Sequence, residues 1–384
     1  MTTLAAHPDP TAGLPPLAQA PRLDRLRDRL TAGGVEAVVV TSLPNIRYLT
    51  GFTGSAARLL VTALDAVLLT DGRYQDQAAA ELAAAGVDCR LSIGRTQPQQ
   101  RELLAAAASG VTRMGLEATS VTWAEQRALA AALGAAELVP THDLVEARRA
   151  VKDDGEVARI EAACDIASAA LAEVLPLAAT GVSERAFAHA LEDGMRARGA
   201  SGPSFDTIVS AGANAALPHH RADHTLIAVG DLLVIDFGCV VDGYCSDMTR
   251  TVVVGDEPAG WQVELIEAAT AAQAAGVAAV RPGLGGRDLH EICAGVIDTR
   301  GLGELFTHGT GHGVGLQIHE SPWAGPAATD TLVVGNVVTV EPGVYRVGLG
   351  GVRVEDTVLV TPSGCRPLTK TPKDLSCPPS PRTT

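Results

Sequence analysis

The chain has 384 residues, 46% of them apolar and only 3% aromatic, with a formal net charge of -14. That length leaves room for two domains, each able to bury a core of its own. The negative charge argues against nucleic acid and anionic membrane as partners, since both are repelled at long range.

Residues 1–20 are rich in Pro and Ala, and 374–384 in Pro, Ser and Thr, so both read as flexible tails. A helix is expected from residue 21, where Leu23, Leu26 and Leu30 share a face and Gly33-Gly34 ends the run. Residues 35–40 read as a buried strand. The next segment, 43–55, reads as turn-rich and carries one cation, Arg47. Strands at 59–61 and 66–69 follow, then helices and strands alternate to about residue 140, which is an α/β pattern. We place this domain at 21–148, with the charged stretch 143–152 as its bridge to a second domain at 149–373. The second domain begins with helices at 156–177 and from Ser183, where Phe187, Leu191 and Met195 stack at i, i+4 and i+8. Extended segments and turns lead to Pro218-His219-His220-Arg221. Helices at 261–280 and 287–297 precede a final third of strands and glycine turns, an α+β pattern. No stretch reads as long enough to span a membrane, and no signal peptide is apparent. Seven scattered cysteines without CxxC or zinc-finger spacing suggest reduced thiols and a cytoplasmic protein.

The chemistry concentrates in the second domain. Within 234–250, VIDFGCVVDGYCSDMTR, two aspartates stand in strand-like apolar surroundings. A hairpin there brings Asp236 and Asp247 together on one face, and two packed like charges call for a cation, most often a metal. Taken alone, the pair could equally be turn residues on a solvated hairpin. Three more ligand-type residues follow in apolar contexts: His312, Glu341 and Glu355. Four carboxylates and an imidazole form a hard, oxygen-rich set suited to two divalent ions. Other readings are weak. The glycines at 309, 311, 313 and 315 lack dinucleotide-loop spacing and more plausibly allow close backbone approach to metals. His319-Glu320 is no zincin motif because Trp323 stands where the second histidine belongs, and no GxSxG occurs.

The order Asp236, Asp247, His312, Glu341, Glu355 resembles the five-ligand signature of the creatinase/prolidase, or pita-bread, metallopeptidases. NIRYLTGF and LLTDGRY resemble the N-terminal domain of the same family, so the likeness spans nearly the whole chain. It implies an α/β N-terminal domain followed by an α+β pita-bread catalytic domain with two structurally related halves. It also implies two divalent ions, Mn2+ above all with Co2+ or Zn2+ as alternatives, and hydrolysis of the bond between a first residue and proline. Prolidase activity on dipeptides is the expectation, with aminopeptidase P acting on longer peptides as the alternative. A silent binding module on the same fold is a third reading, disfavoured because all five ligand positions are filled. By resemblance, His219, His319 and Glu341 are catalytic, with Glu341 shuttling a proton. His308, Trp323, Tyr345 and Arg353 contact substrate, as does Arg47 from the N-terminal domain. For Arg353 the competing role is to orient a ligand carboxylate, and Thr249 could hydrogen-bond an aspartate. Relatives often carry Gly at the position of His220 and Arg at that of Trp323. The expected partners are small peptides with proline second, and the expected assembly is a homodimer.

Overall fold

The computed structural model describes residues 8–255, 257–375 and 377. They form two compact units, one of residues 16–149 and the other of the described residues from 150 onward together with 8–15.

The N-terminal unit is built on a six-stranded mixed sheet. Its strand order is Arg90–Ile93, Ala66–Thr70, Ala57–Thr62, Ala37–Val40, Arg113–Glu117, Glu137–Thr141. Ala37–Val40 pairs antiparallel with Ala57–Thr62 and parallel with Arg113–Glu117, and all four of its residues are buried. That is why it reads as an unbroken apolar run rather than an alternating one. The segment 43–55 is a correction to the turn-rich reading, because Leu43–Thr50 is a helix. Pro44 lies in its first turn and Gly51, at φ 78, closes it. The residues taken for turns are those that bracket a short helix. Asn45 fixes it in place: its amide donates to Glu117 at 2.7 Å and Glu146 at 2.6 Å, and its carbonyl accepts from Arg149 at 2.7 Å.

The C-terminal unit repeats one arrangement, a helix pair on a sheet. Asp154–Val174 and Glu184–Ala197 pack with the three-stranded sheet Met248–Val253, Leu232–Phe237, Ile208–Ala211. Gly260–Ala279 and Gly286–Asp298 pack with the five-stranded sheet Glu320–Ala324, Gly311–Gly313, Val337–Val340, Asp356–Thr361, Gly364–Pro367. The strand Leu232–Phe237 serves both cores. Leu233, Ile235 and Phe237 enter the first, while Leu232 and Val234 enter the second, as the two-residue period of a strand requires. Asp236 therefore projects on the side of Leu232 and Val234.

Three expectations are revised here. The strand expected through 352–360 is two strands: Gly350–Arg353 pairs with Gly343–Arg346, and Asp356–Thr361 with Val337–Val340. The chain changes sheets at Val354-Glu355, and buried Arg250 holds the crossing by binding Asp356 Oδ1 at 2.8 Å and Thr371 O at 2.6 Å. The tails are ordered further than composition suggests. Arg159 donates to Pro15 O, and buried Cys377 accepts from the Gly255 N–H at 2.8 Å. Residues 1–7 and 378–384 lie outside the described residues. Finally, Asp154–Thr180 is long and apolar enough to span a membrane by length and composition alone. In this fold it is a core helix, with Ala163, Ala167, Ala170 and Leu171 packed among the residues of the first core.

Candidate metal centre

Strand pairing assembles the five predicted ligands. Asp236 lies opposite Thr249 in the hairpin register, and Asp247 enters the returning strand two residues earlier, so both aspartates lie on one face. Glu355 sits at the sheet crossing, with its N–H donating to Thr249 O at 3.2 Å. His312 is the middle residue of Gly311–Gly313, and Glu341 follows Val337–Val340 on the neighbouring strand. Carboxylate oxygens of Asp236, Asp247 and Glu355 all lie within 4.8 Å of one another. His312 Nε2 is 3.6 Å from Asp247 and 3.3 Å from Glu341.

Several of these side chains are anchored through one atom and leave another facing the group. Asp236 Oδ2 accepts from Arg353 Nη2 at 2.5 Å, and Glu355 Oε2 accepts from the Thr249 hydroxyl at 2.7 Å. Their other oxygens, Asp236 Oδ1 and Glu355 Oε1, are buried without a hydrogen-bond partner among the described residues. His312 Nδ1 faces Gly313 O at 3.0 Å, which fixes the proton there and turns Nε2 inward. The Thr339 hydroxyl accepts from the His312 N–H and donates to Glu341 Oε1, each at 3.0 Å. Orphaned buried carboxylate oxygens are costly, and a divalent cation satisfies them. The donor set fits such ions.

The electrostatics agree. Burial, then the charges of neighbouring carboxylates, push Asp247 and Glu355 well above the usual carboxylate range. Burial also raises Asp236, against the opposing pull of Arg353. Glu341 moves the other way. Burial opposes its charge, but the hydrogen bond and charge of His312, with the charges of Arg353 and His308, together outweigh burial and hold it below the usual range. His312 is raised in return, despite its own burial.

The group lies in an open cleft of about 1110 Å³, which His219, His308, His319 and Trp323 also line. His219 and His319 are exposed. The His319 ring meets that of His312 edge-on at 4.4 Å and stacks with Trp323 at 6.4 Å, 24° from parallel. His308 Nε2 bonds the Tyr345 hydroxyl at 2.9 Å. The two remaining expected substrate contacts of this unit are enclosed. Tyr345 is buried and does not line the cleft, and its hydroxyl accepts from Arg353 at 2.8 Å. Arg353 is buried too, with its guanidinium donating to Thr249, Pro218 O, Tyr345 and Asp236. It also lines the cleft, and its bond to Asp236 fits the competing role of holding a ligand carboxylate. Arg47 belongs to the other unit, half-buried on the helix Leu43–Thr50. Arg353→Lys keeps the charge but loses the planar fork, and is expected to weaken metal affinity or activity by about 10–100-fold, read by metal titration.

The Thr249 hydroxyl donates to Glu355 at 2.7 Å, because the crossing at 354–355 brings Glu355 over the hairpin, and it also stabilises the charge of Asp236. The glycines around His312 pack tightly against neighbouring backbone. A Cβ at Gly311 would stand 2.0 Å from Thr339 O, and one at Gly313 2.2 Å from Ser321 O, so they allow adjacent strands to close up. Thr339 went unnoticed in the sequence, although it is the one polar residue in Val337–Val340. Lys152 was also missed: it is buried and pairs with Glu320 at 2.9 Å behind the His319 loop. Nothing in its local sequence marks it.

The sequence pattern of metallopeptidase family M24 matches residues 158–362, and that of the creatinase/prolidase N-terminal domain matches 22–151. The chain belongs to metallopeptidase family M24. It is thus a hydrolase whose family uses divalent metal ions, with a pita-bread catalytic domain. The uncharacterized peptidase YqhT of Bacillus subtilis (strain 168) is 39% identical over 355 residues, 92% of this chain and 99% of that protein. The structure of the Xaa-Pro dipeptidase from Bacillus anthracis matches with TM-score 0.88 at 37% identity, covering 92% of this chain and 98% of that one. The X-Pro aminopeptidase from Thermotoga maritima MSB8 matches with TM-score 0.82 at 32% identity, covering 91% and 98%.

Proposed function

We propose that the chain is a Xaa-Pro dipeptidase with two divalent ions, preferably Mn2+, held by Asp236, Asp247, His312, Glu341 and Glu355. The observation that carries this reading is the convergence of four carboxylates and His312 Nε2, with two buried carboxylate oxygens orphaned. Bound ions would supply an activated water and polarise the scissile carbonyl. Glu341, held by Thr339 beside His312, takes the proton from the attacking water and passes it toward the leaving nitrogen. His219 and His319 reach into the cleft as donors to the negative charge developing on the carbonyl oxygen. Desolvation by the cleft walls keeps His308 and His319 below the usual imidazole range, so both are neutral near pH 7; the one N–H of His308 goes to Gly309 O at 2.7 Å, and His319 has one ring N–H to donate. Trp323, 48% exposed, presents a flat apolar face suited to a proline ring. Seven free thiols support a reducing, cytoplasmic setting, and we take the working form to be a homodimer.

A cleft of about 1110 Å³ favours a second reading, an aminopeptidase acting on longer peptides, because it slightly exceeds the usual range for small-molecule sites. The deciding assay compares Xaa-Pro, Xaa-Pro-Yaa with the same first two residues, and a proline-free dipeptide. The dipeptidase reading expects cleavage of Xaa-Pro alone. Brisk tripeptide cleavage gives the aminopeptidase, and equal rates with and without proline overturn both. In the same assay His219→Ala should lower turnover about 10²-fold or more while metal content holds. Lost metal with normal turnover per bound pair would contradict its role.

A further inference from the structure

We propose that Glu184 and His220 are positioning residues that set the loop 211–223 and, through it, His219. This rests on the reading of His219 as a catalytic group. Glu184 is the first residue of Glu184–Ala197 and is fully buried, at 0% exposure. A carboxylate so enclosed needs donors at both oxygens. All four come from one loop. Oε1 accepts from the Ala211 N–H at 2.7 Å and the Asn214 amide at 3.1 Å. Oε2 accepts from His220 Nε2 at 2.7 Å and the Asp223 N–H at 3.3 Å.

These donors bracket His219 on both sides. Ala211 ends the strand beside Asp236, Asn214 lies in the 3-10 turn Gly212–Ala216, and His220 is the next residue after His219. Apolar burial anchors Ala215 and Ala216 but not the end of the loop that carries His219, because Leu217 is 50% exposed and His219 is exposed. What fixes it is the polar tie to Glu184, aided by the Arg353 bond to Pro218 O at 3.3 Å. An ionised carboxylate only accepts, so His220 carries its proton on Nε2. Removing the imidazole leaves Oε2 with its longest bond alone. The loop then relaxes or admits water, and a catalytic side chain misplaced by about 1 Å costs about 10²-fold. The doubled histidine of Pro218-His219-His220 thus divides the work: the first faces the cleft and the second is its brace.

The test compares His220→Ala and His220→Gln in the metal-loaded full chain, since Gln offers an N–H that can reach Glu184. Expected for His220→Ala is a fall in kcat of about 10–100-fold on Xaa-Pro, with KM within about twofold and metal content unchanged. His220→Gln should recover kcat to within about threefold of the parent. Amide hydrogen exchange at Asp223 should speed up in the alanine variant and return in the glutamine one. Unchanged kcat in His220→Ala overturns the proposal, as does a loss that glutamine fails to rescue or one that tracks metal content. If the parent chain cleaves none of the peptides, the dipeptidase reading fails on its own. Exchange at Asp223 then decides the Glu184–His220 tie, with an unchanged rate in His220→Ala overturning it.

Discussion

Glu341→Gln is expected to lower kcat per bound metal pair by about 10²–10⁴-fold, the range for a lost general base, while the fold is retained. Gln has nearly the same shape, and its Oε1 can still accept from the Thr339 hydroxyl that now lies 3.0 Å from Glu341. What disappears is the charge beside His312 and the ability to take a proton. In the metal-free site Glu341 is held ionised, because His312, 3.3 Å away, with Arg353 and His308, together outweigh its burial. Its three companions are pushed toward protonation instead. Loss of turnover per bound metal pair, measured at saturating metal and with the melting temperature close to the parent, supports the assignment. Activity within about tenfold of the parent would assign the proton transfer elsewhere.

Removing the metal is expected to destabilise the protein most at high pH. Asp236, Asp247 and Glu355 have folded pKa values raised by burial and by one another, above their unfolded values of about 4. The metal-free fold therefore binds more protons than the unfolded chain, and its stability falls as pH rises from about 4 through the raised values. Glu341 works oppositely: its lowered pKa gives stability above about 4 that is lost only on acidification. Ions that bind the deprotonated site reverse the trend for the three raised groups, release protons on binding, and add about 4 kcal/mol at a thousandfold excess over Kd. The gap in melting temperature between loaded and metal-free protein should widen from pH 5 to pH 8. A constant gap would mean that these carboxylates do not hold the metal.

The five candidate ligands were legible from their order and setting: Asp236, Glu341 and Glu355 stand in or end apolar runs where an acid demands a partner, Asp247 follows in the same hairpin, and His312 stands among glycines. Strand alternation placed Asp236 and Asp247 on one face without any knowledge of the rest of the sheet. The break at 354–355 was not legible, since Val352 to Val360 carries no Gly or Pro to mark a turn and only pairing to two different sheets divides it. The helix Leu43–Thr50 was hidden because Pro44 and Gly51 mark turns and helix ends alike. Glu184 was hidden for a related reason. An acid in the first turn of a helix is ordinary by its dipole, and only the three-dimensional return of 211–223 reveals that it is buried. Arg353 and Tyr345 sat at the right spacing, but which way a guanidinium donates is decided by neighbours distant in sequence.

The most direct test of the central claim is a titration of metal-free protein with Mn2+, following bound metal and Xaa-Pro hydrolysis together. The account predicts that two ions bind per chain and that activity rises with their occupancy. It also predicts that Asp247→Asn cuts both binding and turnover. Full Xaa-Pro hydrolysis by the chelated, metal-free protein would contradict it.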